Sequence, residues 1–167
     1  MQLEVEIPVL VILIGLSGFF SGLEVALVGT RMSKIEQMVK DKVKGSASLL
    51  KLKKNPSRMM ASVNLGNNLV NVAATAIATD VALKLFGNEG LAIAIGIMTF
   101  LILIFGEITP KTYCNANASK IAARYSRILL GFSYAFYPIV RILESITKGI
   151  IRLTGTVSYT HLRAHET

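Results

Sequence analysis

The sequence predicts an all-α membrane protein: three transmembrane helices plus an amphipathic juxtamembrane helix, with the N-terminus outside. Three observations carry that expectation. The 167 residues are 52% hydrophobic and only 17% charged, a balance wrong for an ordinary soluble domain. Three apolar stretches, about residues 7–28, 59–85 and 91–107, approach the roughly 20 residues that cross a bilayer as helix. The basic residues, finally, are segregated rather than scattered.

The first stretch, "IPVLVILIGLSGFFSGLEVALV", carries Glu24 as its one charge. It is preceded by Glu4 and Glu6 rather than lysines, and no small-residue cleavage site follows, so it reads as a retained span and not a secretory signal. Between the first two spans lie Arg31, Lys34, Lys40, Lys42, Lys44, Lys51, Lys53, Lys54 and Arg58, against only Glu36 and Asp41. The positive-inside rule places this loop in the cytoplasm. The N-terminus and the "FGNEG" turn (Phe86 to Gly90) are then outside, and everything after Lys111 is inside. The same lysines favour contact with anionic lipid, whereas nucleic acid is not an expected partner. Cys114 is the single cysteine, so no intrachain disulfide is available.

Within the loop, Ile35, Met38, Val39 and Val43 recur at helical spacing among lysines, which predicts a short amphipathic helix at the inner interface. Asn55-Pro56 marks a turn or helix start before the second span. After the third span, "KTYCNANASKIAARYSRILLGF" predicts a helix along the inner leaflet. Lys120, Arg124 and Arg127 line one face, and Ile121, Tyr125, Ile128, Leu129 and Phe132 the other. Residues 132–153 stay apolar, but Pro138, Arg141, Glu144 and Lys148 argue against a clean fourth span. The juxtamembrane helices therefore occupy about residues 113–153. The ending "TVSYTHLRAHET" changes character abruptly and resembles a translated adapter, so residues 156–167 read as a non-native tail. His161 and His165 fall in it and are not candidate ligands.

The spans also carry polar residues. Ser17 and Ser21 are four apart and Glu24 three further, which places all three on one helix face. Gly18, Gly22 and Ala26 repeat every four and allow a neighbouring helix to approach closely. A serine here has an alternative, a bond to its own i−4 carbonyl, and Glu24 has another at the interface. The second span carries "SVNLGNNLVN", with Asn64, Asn67, Asn68 and Asn71 on one side and Ser62 and Thr75 nearby. Four asparagines exceed what helix association needs, at about 1 kcal/mol per interhelical bond. The third ends in "LILIFGEITPK". An intramembrane carboxylate such as Glu107 is a functional hypothesis by default. Pro110 has no N–H, so the Gly106 carbonyl loses its normal helical donor. The alternative for Glu107 is an i, i+4 pair with Lys111. Three helices thus offer hydroxyl, amide, carbonyl and carboxylate oxygens without thiolate or imidazole, which suits Mg²⁺ or Ca²⁺ rather than zinc or copper. No HExxH or GxSxG motif is present, so an enzyme is not expected.

"SGFFSGLEVAL", "GNNLVN" and "FGEITPK", in this order on three successive spans, resemble the transmembrane domain of the CNNM/CorC magnesium transporters. The likeness covers about residues 5–155. It implies a homodimer of three-span protomers in the cell membrane, each binding Mg²⁺ between its helices and exporting it in exchange for Na⁺. Some members have been argued to be sensors or regulatory subunits instead, which is the alternative function. By motif, Ser17, Ser21, Asn67, Gly106 and Glu107 match the metal site. Ser62, Asn71 and Glu24 are secondary candidates, and Pro110 and Lys111 are structural neighbours, with Lys111 anchoring the helix end through a carboxylate. The family usually continues into cytosolic CBS modules that bind adenine nucleotide, and this sequence encodes none.

Overall fold

In a computed structural model that describes residues 3–153, the described residues form helices joined by short turns. The segment 156–167, read above as non-native, lies outside the described residues. Helix α1 spans Leu3–Gly29 and, after Arg31 in extended conformation, leads into α2 (Met32–Lys40). A tight turn follows, with Lys42 at φ 53° and Gly45 at φ 90°, and opens α3 (Ser46–Lys53). Helical structure resumes at Pro56, whose missing N–H costs nothing in a first turn. It is interrupted at Gly87 (φ 62°, ψ −167°), which separates α4 (Pro56–Asn88) from α5 (Leu91–Ala116). Helices α6 (Ala118–Ala135) and α7 (Tyr137–Leu153) complete the described chain.

Three helices, α1, α4 and α5, are long and apolar enough to cross a membrane. A fourth crossing arises only if α6 and α7, bent by 83°, are taken as one broken span. The helix that carries the third apolar stretch runs on to Ala116, with the Pro110 region accommodated inside it. The basic loop holds two helices where the periodicity showed one. In "SASLLKLK" apolar and polar residues do not segregate by helical spacing, so α3 left little signal.

Helix α1 is the central element, packing on α4, α5 and α6, while α3 packs on α6. The main core lies at the basic-loop end, where Leu23 and Leu27 of α1 meet Ile35, Leu49, Met59 and Leu129. Ile35 and Leu49 come from loop helices that would otherwise face water, so their burial stabilises by about 2 kcal/mol each. A smaller cluster of Leu10, Ala74 and Ala78 joins α1 to α4 nearer the opposite end. The apolar face read for α6 is largely the face that packs: Leu129 is buried, and Ile121, Tyr125 and Phe132 lie against the main core. Ala122, Ala123, Ser126, Leu129 and Ser133 face the protein, while Ile128 is exposed. Small residues let helix backbones approach closely, and bulky apolar ones are equally content against lipid.

Candidate metal centre

Contacts along α1 fix its register against both other spans. Glu6 meets Lys84 (2.5 Å) and Ser17 meets Asn71, so α1 and α4 run antiparallel. Gly106 lies opposite Ser17, Pro110 opposite Gly18 and Cys114 opposite Gly22, so α1 and α5 run parallel. A Cβ on Gly106 would stand 3.0 Å from Ser17 Oγ, and one on Gly18 would stand 2.9 Å from Pro110 Cγ. The bare glycines are what bring the two helices this close.

Around Pro110, α5 widens. Residues Ile102–Ile108 form a π-helical turn, in which the Thr109 N–H reaches back five residues to the carbonyl of Ile104. Proline can serve neither the i−4 carbonyl of Gly106 nor the i−5 carbonyl of Phe105, and its ring crowds the preceding turn. The wider turn relieves that crowding and leaves main-chain oxygens without their usual donors. The Gly106 carbonyl is directed at α1, where Ser17 Oγ lies 3.4 Å away.

Ser17 is fully buried and donates its hydroxyl to Asn71 Oδ1 at 2.5 Å. A hydroxyl has one proton, so Ser17 cannot serve Asn71 and Gly106 fully at once. Three oxygens from three helices therefore face one another with a single hydrogen among them. One turn further along the same pair of helices lie Ser21 on α1 and Asn67 on α4. Ser21 Oγ and Asn67 Oδ1 are both buried with no hydrogen-bond partner. Leaving each such atom unsatisfied costs about 1–3 kcal/mol. A cation is the ligand that satisfies several inward-facing lone pairs together.

The other sequence candidates divide. Asn71, ranked second by motif, makes the direct contact with Ser17. Ser62 is buried but bonded to its own-helix carbonyl at Arg58 (2.8 Å), which accounts for it structurally. Asn64 and Asn68 are exposed. Glu24 is half-buried and makes no hydrogen bond to the cluster among the described residues. Glu107 is half-buried beside Gly106 in the π-turn. The expected pairing of Lys111 with a carboxylate is absent among the described residues, because the π-turn alters the spacing that an i, i+4 pair needs. Also among the described residues, no three His, Cys, Asp or Glu side chains gather as a metal site. The donors that do converge are hydroxyl, amide and carbonyl oxygens, a set for a hard cation.

Sequence reading missed a second polar junction. Lys84 Nζ binds Glu6 Oε1 at 2.5 Å and Asp80 Oδ2 at 2.7 Å, tying α1 to α4 at the end opposite the basic loop. Charged residues within helices long enough to span were the available signal, and Lys84 lies one turn beyond Asp80.

Residues 8–166 match the family model described as the cyclin M transmembrane N-terminal domain. The chain belongs to this family. Among curated relatives, a UPF0053 protein of Haemophilus influenzae is 35% identical over 147 residues, covering 88% of this chain and 35% of the relative. The UPF0053 inner membrane protein YfjD of Escherichia coli is 34% identical over 140 residues, covering 84% and 33%. Metal transporter cnnm-4 of Caenorhabditis elegans is 30% identical over 122 residues, covering 70% and 26%. The chain thus spans about a third of the length of the first two relatives. Membership makes it an integral membrane domain of a family of metal transporters, not of enzymes.

Proposed function

We propose that the chain is the membrane core of a Mg²⁺ transporter, working as a homodimer and coupled to Na⁺. The ion is cargo, held between α1, α4 and α5 by Ser17, Ser21, Asn67, Asn71 and the Gly106 carbonyl, with Glu107 supplying charge. The observation that carries this reading is the pair of buried, unpartnered oxygens, Ser21 Oγ and Asn67 Oδ1, one turn from the Ser17–Asn71–Gly106 group. A nearly neutral oxygen set binds a divalent ion with moderate strength, and transport requires that the ion can leave. The basic loop and the C-terminal helices face the cytoplasm in this reading, on the strength of the charge asymmetry. The apolar side chains of Ile93, Ile97 and Phe100 on α5 are exposed in the single protomer and suit lipid or a second copy.

Thermal unfolding of the purified chain in a Mg²⁺ series tests the site. Asn67→Ala and Glu107→Ala are each expected to remove Mg²⁺-dependent protection, and unchanged protection in both contradicts the assignment. Transport is tested with proteoliposomes carrying a full-length relative such as YfjD and an enclosed Mg²⁺ dye. Flux driven by a sodium gradient supports the transporter. Mg²⁺ binding without flux assigns the site to a sensor or regulatory subunit.

A further inference from the structure

Two clefts open side by side at the basic-loop end of the spans, each mixing apolar and cationic side chains. The first, about 390 Å³, runs between α1, α5 and α6 over Phe19, Leu23 and Ile121. The second, about 440 Å³, lies between α6 and the α2–α3 turn and is lined by Lys44 and Arg127 together with Met38 and Val43. Lys120 and Arg124 line both clefts. Neither lining contains a carboxylate, so four cations meet without an internal counter-ion. Arg124 lies over the Tyr125 ring at 5.7 Å, and that ring packs edge-on against Phe19 at 5.2 Å. The boundary between apolar and cationic surface is thus built from residues in contact.

A cleft against two membrane spans that sets Phe19, Leu23 and Ile121 beside Lys120 and Arg124, and continues past them to Lys44 and Arg127, matches a molecule with both hydrocarbon and anionic parts. A soluble anion leaves Phe19, Leu23 and Ile121 uncovered, and a hydrocarbon leaves the four cations unpaired. Basic pockets between helices on the cytoplasmic side are where anionic headgroups bind. We propose that the two clefts together hold one anionic phospholipid. Its phosphate sits between Lys120 and Arg124, with Lys44 and Arg127 around the headgroup, and its acyl chains lie along Phe19, Leu23 and Ile121. The lipid fastens α6 to α1 and to the α2–α3 turn. This site is separate from the cation cluster and does not depend on it.

Native mass spectrometry of the whole chain, released from detergent and titrated with phosphatidylglycerol or phosphatidylcholine, tests the proposal. The chain is expected to retain one phosphatidylglycerol in preference to phosphatidylcholine. Lys120→Gln with Arg124→Gln weakens that retention about thirtyfold, the loss expected of two charges at a membrane surface. Lys34→Gln with Lys40→Gln removes the same charge from exposed positions outside both clefts and leaves retention unchanged. Equal retention of both lipids overturns the proposal. So does equal weakening in the two double variants, which reduces the effect to net charge. Displacement of the bound lipid by millimolar inorganic phosphate also overturns it, because the site then selects a soluble anion.

Discussion

Buried serines occur in two regions of this molecule, and their surroundings are opposite. At the basic-loop end, Ser126 is fully buried and donates within reach of two carbonyls, Gly45 at 2.8 Å and Ala123 at 2.9 Å. Ser133, also fully buried, accepts from Arg58 Nε at 2.9 Å. At mid-span, Ser21 is equally buried and has no partner, Asn67 Oδ1 is in the same state, and Ser17 is shared between two acceptors. Burial and residue type are the same, so only the hydrogen-bond inventory distinguishes the regions. Where every polar atom is paired, the serine holds helices together. Where inward-facing oxygens lack partners, the fold carries a cost of about 1–3 kcal/mol for each, which a bound cation removes.

The contrast is broken most forcefully at Gly45. Its φ of 90° favours glycine, and a Cβ there would fall 1.9 Å from the Ala123 carbonyl oxygen, too close to accommodate. Gly45→Ala is expected to destabilise by at least about 3 kcal/mol through strain and clash. Thermal unfolding measures this, and the chain that remains folded should keep its Mg²⁺ response. Ser126→Ala is milder. It removes the hydroxyl that bonds Gly45 and costs about 1–2 kcal/mol, again without changing the response to Mg²⁺. Ser17→Ala belongs to the other region. It breaks the bond to Asn71, lowers stability by about 1 kcal/mol, and unlike Ser126→Ala it weakens Mg²⁺ protection, readable as a shifted midpoint in the metal titration.

The smallest expected effect concerns Lys53, on α3 outside the spans. Burial lowers the pKa of its ammonium from the ordinary lysine value, and it donates to the Val28 carbonyl at 3.4 Å. The unfolded chain therefore holds that proton more tightly than the folded one. The penalty is present in full at low pH and fades as pH rises from the lowered value through about 10.5. Subtracting the Lys53→Met stability curve from that of the unaltered chain should show this difference rising with pH over that window.

Most of the architecture was legible in the sequence, because apolar runs of bilayer length and a lysine-rich loop are strong, local signals. The site was legible in part. Ser17, Ser21, Asn67 and Gly106 were named from motif and periodicity; the structure brings the Gly106 carbonyl to Ser17 and leaves Ser21 Oγ and Asn67 Oδ1 buried without partners. The Ser17–Asn71 contact was not legible, because it depends on interhelical register, which a single helix's spacing cannot show. The π-turn was anticipated only as a lost donor at Pro110, since widening depends on what packs against the turn. Periodicity put Ile121, Tyr125, Leu129 and Phe132 of α6 on the face that packs against the core, but not the small residues beside them. Beside a membrane, Ile128 gains nothing by turning inward, whereas Ala122 and Ser126 permit close packing.

The central claim is that the mid-span oxygens are left unpaired because a cation completes them. Unfolding the Ser21→Ala, Asn67→Ala double variant with and without Mg²⁺ tests it most directly. Without Mg²⁺ the variant is expected to be as stable as the unaltered chain or more so, since two buried unsatisfied oxygens are gone. At a Mg²⁺ concentration about a hundredfold above its dissociation constant, the unaltered chain should gain about 2.7 kcal/mol, and the variant nothing. A variant that loses stability without Mg²⁺ and keeps the full gain with it would contradict the claim.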